Sequence, residues 1–329
     1  MGVIKSSSHR HRIPESCNAL FFVYSDANFD RLFIDFPCIF GIIHTIEGVK
    51  NMKKNNLVAP VLKWVGGKRQ LLDSIRPLLP NKINRYCEPF VGGGALLFSL
   101  QPSIAYVNDI NQDLILVYNV IKNDSESLIM ALSDFKNEAE FFYEVRDWDR
   151  DRARYDALSD VERAARIIYL NKTCYNGLYR VNNAGEFNSP FGNYKNPNII
   201  NAPVLRAVSA YFNAAKISFS SVDYAEVFAG IPKGTFVYLD PPYDPVSATS
   251  NSTGYARGGF SQDEQIRLRQ CCDELNARKI KFMLSNSATA FIKEQYANYN
   301  ITVVRAKRAI NSVGSKRGDV DEVIIRNYE

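Results

Sequence analysis

Short apolar runs alternate with longer amphipathic stretches along most of the chain, from about Pro60 onwards. Apolar runs of about four to eight residues between turn-forming residues are typical of buried strands. Such runs occupy residues 85–91, 104–107, 217–222, 236–239 and 281–284, and the runs 301–304 and 322–325 are predicted to form a closing antiparallel pair. The pattern therefore predicts an α/β fold.

Helices are predicted between these strands. One short helix is expected within 73–79 and another over 95–100. The charged, amphipathic stretch 113–171 is predicted to be mostly helical, because its apolar residues recur at helical spacing. Residues 172–202 are rich in Asn, Gly, Tyr and Pro and are predicted to be loop-like.

Two helix starts carry a capping-box pattern, in which a Ser and a Glu three residues later cap each other's backbone. Ser159 and Glu162 fit this pattern for a helix that runs to Leu170. Ser261 and Glu264 fit it for a helix over 263–277.

The tetrapeptide Asp240-Pro-Pro-Tyr243 follows the apolar run 236–239. Two prolines at the end of a strand make a rigid turn that lacks N–H donors, so carbonyls and the Asp240 carboxylate leave a site rich in hydrogen-bond acceptors. Such a site suits a substrate that offers N–H groups, and the flat face of Tyr243 suits a stacked base. An ordinary proline turn after a strand is the alternative interpretation.

A glycine-rich turn, with Gly92 and Gly94, lies between the predicted strand 85–91 and the helix that follows. Glycines at this place let the backbone approach a ligand closely. Leu97 stands where the dinucleotide fingerprint has its third glycine, which argues against a bound diphosphate. Asp109, at the end of the next strand, would accept hydrogen bonds from ribose hydroxyls. The combination suits a nucleoside ligand.

The segment from Trp64 to Arg69 contains Gly-Gly-Lys, but the phosphate-loop pattern fails because Arg69 follows Lys68. Lys68 would instead pair with a carboxylate of the ligand, with Trp64 packing beside it. A turn with a solvated lysine is the alternative.

The predicted loop is dense in amide, aromatic and basic side chains between residues 171 and 195. Arg180 has the donor geometry to read guanine, and asparagines can read adenine. Lys172 and Lys195 suit phosphate groups. An Asn- and Gly-rich loop without a ligand has the same composition.

Composition sets broader limits on the class of protein. The 329 residues carry a net charge of +5, with 46% hydrophobic and 23% charged residues, which is ordinary for a globular protein. The six cysteines form no C-x-x-C pair and the three histidines all precede residue 45, which argues against a zinc site and fits a reducing cytoplasm. No stretch has the uninterrupted apolar length of a membrane span.

Two parts of the chain stand apart. Residues 1–51 show no clear period and no motif, and Met52 resembles an ordinary bacterial start, so residues 1–51 are expected to be a dispensable extension of unknown role. Residues 305–317 hold five basic side chains and no acid, which indicates either a solvated face or a surface for a polyanion.

Taken together, these motifs resemble the Dam family of DNA adenine methylases, the class α N6-adenine methyltransferases. The order of the segments matches: residues 64–69, then 90–94, then an insertion, then 240–243. Residues 175–178, 190–192, 247–249 and the closing segment 308–328 are also similar to that family. The resemblance spans roughly residues 58–328.

The resemblance implies a Rossmann-like methyltransferase sheet, S-adenosylmethionine as methyl donor and no metal. Its catalytic residues would be Asp240, Pro241, Pro242 and Tyr243, which would hold a target adenine flipped out of the duplex at a cost of a few kcal/mol. The cofactor residues would be Trp64, Lys68, Phe90, Gly92, Gly94, Asp109 and Asp240.

Double-stranded DNA is the implied substrate, with GATC as the favoured site. The DNA-binding residues would be Tyr175, Asn176, Leu178, Arg180, Asn188, Pro190, Tyr194, Lys195, Arg308, Lys316 and Arg317. The implied domains are a catalytic domain of 52–112 and 203–329 and a mainly helical target-recognition domain of 113–202. A monomer or weak dimer is expected in the cytoplasm of a bacterium or in a phage system, acting alone or beside a separate restriction endonuclease, with no membrane partner.

Three alternatives stay open at this point. An N4-cytosine or an RNA adenine methyltransferase would use the same acceptors for an exocyclic amine, although the acid at position 240 favours adenine. A DNA-binding regulator on the same fold would keep the cofactor site without turnover. A nicotinamide-dependent oxidoreductase fits less well, because the third glycine is missing.

Overall fold

The computed structural model describes residues 53–64, 66–246, 260–307 and 319–329. The predicted extension 1–51, the family-like segment 247–249 and the three DNA-binding candidates Arg308, Lys316 and Arg317 lie outside these residues. The described residues all fall within one compact unit, Ile46–Glu329.

A mixed sheet forms the centre of this unit. In the described part of the chain its strands are Arg85–Glu88 (β1), Ile104–Asn108 (β2), Lys216–Ser220 (β3), Thr235–Leu239 (β4), Lys281–Ser287 (β5), Asn300–Lys307 (β6) and Asp319–Arg326 (β7). Their order across the sheet is β3-β2-β1-β4-β5-β7-β6. Strands β1 to β5 pair in parallel, whereas β7 is antiparallel to both β5 and β6. The α/β fold and the closing antiparallel pair are both confirmed.

The helices flank this sheet. Within the described ranges they are Leu72–Ile75 (α1), Ala95–Leu100 (α2), Gln112–Asn123 (α3), Ser125–Ser133 (α4), Ala139–Arg146 (α5), Arg152–Ala157 (α6), Asp160–Thr173 (α7), Ala202–Ala214 (α8), Tyr224–Gly230 (α9), Gln262–Ala277 (α10) and Ala290–Gln295 (α11). Single 3-10 turns occupy Lys68–Leu71, Arg76–Leu78, Asp147–Arg150 and Tyr175–Gly177. The helix predicted to start at Ala95 is confirmed and runs from Ala95 to Leu100, and the one expected within 73–79 is divided between α1 and a 3-10 turn.

The two predicted capping boxes differ in outcome. At α7 the Ser159 side chain accepts from the Glu162 N–H, and the Glu162 carboxylate accepts from the Ser159 N–H in return. At α10 the Ser261 side chain accepts from the Glu264 N–H, but the Glu264 carboxylate accepts from the Tyr224 hydroxyl and from Arg267. The second box is therefore half formed, because the Glu264 carboxylate is taken by Tyr224 on α9 and by Arg267 one turn further along α10.

The sheet and the helical stretch between β2 and β3 share one hydrophobic core. Helix α3 packs against α7, α8 and β3, and buried side chains run continuously from the sheet into α7. Strands β2 and β4 are buried along their whole length, which fits their largely apolar sequences. No described helix has the length and apolar character needed to cross a membrane.

The strand order reverses direction at β1: the chain moves outward to β2 and β3 and then returns to β4 on the other side. Ligands of open α/β sheets bind at such a point, outside the carboxyl ends of the strands. The turns after β1, β2 and β4 all open at this edge, and they carry the motifs singled out in the sequence.

Candidate functional site

Asp240 follows β4 directly and is held by two neighbours. The Lys68 ammonium lies 2.8 Å from its Oδ1, and the Ser285 hydroxyl donates to the same oxygen at 2.9 Å. Lys68 is only 7% exposed and Asp240 18%, so this is a largely buried ion pair. Burial raises the pKa of Asp240, while Lys68 and then Ser285 draw the pKa back towards its ordinary value. Both of these contacts from described residues fix the carboxylate through Oδ1.

Tyr243 presents its ring to the same place. The Lys68 ammonium lies 4.5 Å from the centre of the ring, in a cation–π contact. The Tyr243 hydroxyl donates to Glu322 Oε2 on β7 at 2.8 Å, which fixes the plane of the ring. Lys68, from the segment 64–69, therefore meets Asp240 and Tyr243 of the tetrapeptide 240–243 in one cluster.

The glycine-rich turn after β1 requires glycine at two positions. Gly92 has a φ of +47° and Gly94 a φ of +67°, a backbone conformation that other residues rarely adopt. An added Cβ at Gly92 would lie 2.8 Å from Trp64 Cδ1, and one at Gly94 would lie 2.8 Å from Phe98 Cε2. Trp64 therefore lies directly against the turn, and its own ring stacks on Tyr179 at 5.1 Å.

Asp109, after β2, is tied to this turn. Its Oδ2 accepts from the Gly92 N–H at 2.9 Å and its Oδ1 from the Asn111 N–H at 3.0 Å. Burial raises the pKa of Asp109 to about 6, against the lowering effect of these two backbone donors. The Asp109 carboxylate at the end of β2 is therefore hydrogen-bonded to the glycine-rich turn at the end of β1.

Two further side chains complete the wall around the turn. Phe90 packs against Tyr224 and Phe260, with ring centres 5.2 and 6.0 Å apart. Glu88, 2% exposed, accepts from the Tyr86 hydroxyl, and burial raises the pKa of Glu88 well above its ordinary range. Burial thus favours the protonated form of Glu88.

The loop after α7 holds the predicted DNA-reading residues. Two isolated β-bridges, Cys174 to Phe191 and Val181 to Phe187, fold residues 174–191 back on themselves. Arg180 is exposed, and its guanidinium donates to Asn188 Oδ1 at 2.7 Å and to the Asn188 carbonyl at 3.3 Å. Arg180 and Asn188 are therefore brought together.

The remaining residues of this group lie along the same loop. Tyr175 is 58% exposed and Asn176 adopts a positive φ of 58°. Pro190 and Lys195 are exposed, while Leu178 and Tyr194 are half-buried, Tyr194 under the Lys63 ammonium at 5.1 Å. An exposed aromatic ring beside amide and basic groups is a surface on which a nucleic acid can stack and be read.

A buried amide links this loop to the Trp64 segment. The Asn171 side chain accepts from the Lys63 N–H at 2.8 Å and donates to the carbonyls of Lys63 and Gly177 at 2.7 and 3.1 Å. The turn at Gly177 is thereby fixed to the residue before Trp64.

Several residues of the cluster were not singled out by the sequence. Ser285 and Asn286 carried a signal, since polar residues directly follow the apolar run 281–284. Gln265 carried none, because it lies among polar residues of a helix where a solvated side chain is the usual case. Asn171 and Glu322 lie in the segments 171–195 and 308–328 that the sequence analysis named, but no individual role was assigned to either of them. Within the described ranges, no group of three or more His, Cys, Asp or Glu side chains is arranged to hold a metal ion.

Comparison with known proteins identifies the family. The model of the D12 class N6 adenine-specific DNA methyltransferases matches residues 64–310. The type II methyltransferase M1.LlaDCHI of Lactococcus lactis subsp. cremoris is 43% identical over 280 residues, 84% of this chain and 98% of that protein. The type II methyltransferase M.MjaIII of Methanocaldococcus jannaschii is 44% identical, over 82% of this chain and 99% of the relative.

The DNA adenine methylase of Escherichia coli K12 is 37% identical over 278 residues, 83% of this chain and 95% of the relative. Enzymes of the matched class use S-adenosylmethionine as methyl donor. The described sheet is consistent with the fold of such enzymes. The chain belongs to the D12 class of N6 adenine-specific DNA methyltransferases, as an adenine-specific enzyme that acts on DNA.

Proposed function

We propose that this enzyme methylates the adenine of GATC in double-stranded DNA, and that the turn Asp240–Tyr243 receives the flipped base. The observation that carries the assignment is the cluster of Asp240, Lys68 and Tyr243 beside the glycine-rich turn, at the carboxyl edge of the sheet. An acid, a carbonyl-rich proline turn and an aromatic face lie together there, next to the glycine-rich turn that suits a nucleoside ligand.

The two N–H bonds of the adenine amine need two acceptors. Oδ1 of Asp240 already accepts from Lys68 and Ser285, which leaves Oδ2 for the amine. The Pro242 carbonyl already accepts from Gln265 at 2.8 Å, which leaves the Pro241 carbonyl as the second acceptor. The amine lone pair is normally delocalised into the ring. Accepting both N–H bonds favours a tetrahedral nitrogen, so that the lone pair becomes available for the new bond.

Stacking on Tyr243 would offset part of the cost of flipping the base, by about 1–3 kcal/mol. Its hydroxyl is held by Glu322, so the ring is already oriented when the base arrives. Positioning of this kind supplies much of the rate of a transfer between two bound groups.

We infer that Trp64, Lys68, Phe90, Gly92, Gly94, Asp109 and Asp240 hold S-adenosylmethionine, which supplies the methyl group. The residues fit such a ligand, since the left-handed glycines let the backbone approach it closely and the Trp64 ring fills the space that a Cβ at Gly92 would need. Asp109 offers an acid at the strand end where ribose hydroxyls are bound in nucleotide sites.

For the DNA interface we propose Tyr175, Asn176, Leu178, Arg180, Asn188, Pro190, Tyr194 and Lys195, together with Arg308, Lys316 and Arg317. Support comes from Arg180, which is exposed and anchored on Asn188 through one side of its guanidinium, so that its other donors can face the two acceptors of guanine. Residues 113–202 would form the target-recognition domain, built from α3 to α7 and the loop.

Two broader features belong to the same proposal. A restriction endonuclease acting as a separate protein is supported by the type II names of two relatives. A monomer or weak dimer in the cytoplasm, in contact with DNA, would be sufficient, since the cluster around Asp240 is built from one chain.

The test of the proposed site is digestion of plasmid DNA after incubation with the enzyme and S-adenosylmethionine. GATC nucleases that differ in their response to adenine methylation distinguish the outcomes. Protection from the methyl-blocked nuclease, together with cutting by the methyl-dependent one, is expected. Methyl incorporation into DNA without either change would show that another sequence is the target.

A further inference from the structure

We propose that Gln265 and Asn286 form a buried amide relay that holds the Pro241–Asp244 turn in position for methyl transfer. Both are positioning residues, which act through the turn and touch no reacting atom. The inference rests on the proposed role of this turn as the site of the adenine amine.

The relay joins the turn to two elements of the fold. Gln265, on α10, is 1% exposed and donates from Nε2 to the Pro242 carbonyl at 2.8 Å. Asn286, on β5, is fully buried and donates from Nδ2 to Gln265 Oε1 at 3.1 Å. Asn286 Oδ1 accepts from the Asp244 N–H at 3.0 Å and from the Ser287 N–H at 2.8 Å. The two amides thus connect both sides of Tyr243.

Only one orientation of the two amides satisfies these contacts. Backbone N–H groups can only donate, so the oxygen of Asn286 must face Asp244 and Ser287. Its NH2 group must then face Gln265, whose oxygen accepts, and the Gln265 NH2 group is left for Pro242. A carbonyl can only accept, so the relay ends on a group of the required polarity. Fixed backbone groups at both ends therefore set the direction of the whole relay.

The turn needs such a relay because its own backbone is poor in donors. Pro241 and Pro242 carry no N–H group, so the turn cannot be tied to the fold through these residues as an ordinary turn is. The Ser287 hydroxyl donates to the Asp244 carbonyl and the Thr289 hydroxyl to Asp244 Oδ2, each at 2.7 Å, which fixes the far end of the turn. Gln265 supplies the tie at Pro242 itself.

The consequence is a fixed direction for the Pro241 carbonyl. The Pro242 carbonyl belongs to the peptide plane between Pro242 and Tyr243, which Gln265 holds against α10. Because the ring of Pro242 fixes its φ, this also restrains the preceding peptide plane, which aims the Pro241 carbonyl. A displacement of about 1 Å in a reacting group can lower a rate by about 10²-fold. Loss of the relay should therefore affect methyl transfer itself more than the affinity for either ligand.

Two single variants and their combination test the relay. Gln265→Met keeps the shape of the side chain and removes its donor and acceptor. Asn286→Leu keeps the approximate volume of the side chain, and it removes both the oxygen that accepts from the Asp244 and Ser287 N–H groups and the NH2 group that donates to Gln265.

The measurement is the single-turnover rate of transfer of labelled methyl groups to DNA, with the thermal unfolding temperature and the two ligand affinities measured for each folded variant. We expect each single variant to lose about 10²-fold in rate, and the double variant to lose about the same factor, because one relay is broken once. The affinities for S-adenosylmethionine and for DNA should stay within about threefold of wild type. Gln270→Met, at an exposed position on the same helix, should leave the rate unchanged.

Other results would overturn the relay. Losses that multiply to about 10⁴-fold in the double variant would show two independent residues. A folded Gln265→Met enzyme with a rate within about threefold of wild type, or a loss found only in ligand affinity, would exclude a positioning role. Asp240→Ala in the same assay distinguishes failure of the proposed amine site from failure of the relay. If Asp240→Ala retains the wild-type rate, the amine site itself is misassigned. If Asp240→Ala is inactive and the relay variants are normal, only the relay is wrong.

Discussion

At the scale of single residues, the charge of Asp240 is set by two opposing influences. Burial raises the pKa of its carboxyl, and the Lys68 ammonium 2.8 Å away lowers the pKa again. An isolated buried carboxylate tends to take up a proton and lose its capacity as an acceptor. Lys68 therefore has a role in keeping Asp240 ionised as well as a place beside the cofactor site.

Replacing Lys68 with methionine should shift the pH dependence of the enzyme. Without the ammonium the pKa of Asp240 rises further, so the acidic limb of the profile of kcat/KM against pH should move to higher pH. Lys293→Met, at an exposed position on α11, serves as the control with the same change of side chain. An acidic limb that is identical in Lys68→Met and wild type would contradict the role assigned to the ion pair.

Asp109 provides a second pH dependence, which concerns the cofactor alone. Its pKa is raised to about 6, and both its oxygens accept backbone N–H bonds only while the carboxyl is ionised. Below about pH 6 the proton enters and weakens the tie to Gly92, so affinity for S-adenosylmethionine should fall as the pH is lowered and level off above that value. Calorimetric titration at a series of pH values measures this, and Asp109→Asn should abolish the dependence. A flat affinity for wild type from about pH 5 to 8 would refute it.

Much of the site at this scale could be predicted from the sequence, because Asp240, Tyr243, Gly92 and Asp109 lie next to strand ends where residue type and place indicate a ligand. The ion pair of Lys68 and Asp240 could not, since the two residues are far apart in the chain and no spacing relates them. The contact of Gln265 with the turn could not be predicted from the sequence either. A glutamine on an amphipathic helix is usually solvated, and only the packing of α10 against the turn buries it.

At the scale of elements, the turn between β1 and α2 combines backbone strain with a close contact. Gly92 and Gly94 both adopt positive φ, but the space at Gly92 is filled by Trp64. The sequence indicated a turn that lets a ligand approach. It did not reveal that a tryptophan from an earlier segment fills the same space, because that contact depends on the tertiary fold.

Gly92→Ala and Gly234→Ala separate the two effects. Both positions have a positive φ, but nothing lies within 4 Å of an added Cβ at Gly234, whereas at Gly92 the Cβ would lie 2.8 Å from Trp64. Each variant should lose about 1–2 kcal/mol of stability from backbone strain. Only Gly92→Ala should also weaken binding of S-adenosylmethionine, by displacing Trp64, as measured by calorimetry beside thermal unfolding. Equal cofactor affinity in the two variants would show that Trp64 has no part in the site.

Elements themselves were predicted well where the local pattern agreed with the packing. The capping box at Ser159 forms in full, and among the described residues the Glu162 carboxylate bonds only to Ser159. At Ser261 the Glu264 carboxylate instead accepts from Tyr224 on α9 and from Arg267 in the same helix. The strand predicted over 85–91 ends at Glu88, since the following residues enter the glycine-rich turn. The contact with Tyr224 depends on the tertiary fold, which the local pattern does not contain.

At the scale of the whole molecule, the family match covers residues 64–310 and the described sheet begins with β1 at Arg85. The role of residues 1–51 stays a prediction. A protein that starts at Met52 should fold with an unchanged unfolding temperature and methylate DNA at the wild-type rate, because every element and site residue described above follows that position. A truncated protein that unfolds at lower temperature, or that loses methyl transfer, would assign these residues a structural or functional role.

The most direct test of the proposed methyl-transfer site is the amount of N6-methyladenine formed in GATC-containing DNA by wild type and by Asp240→Ala, measured by mass spectrometry of the nucleosides. Wild type should convert the target adenine. Folded Asp240→Ala should form almost none even at saturating S-adenosylmethionine, because the acceptor of the adenine amine is gone. Wild-type conversion by Asp240→Ala would contradict the assignment of this turn as the site of methyl transfer.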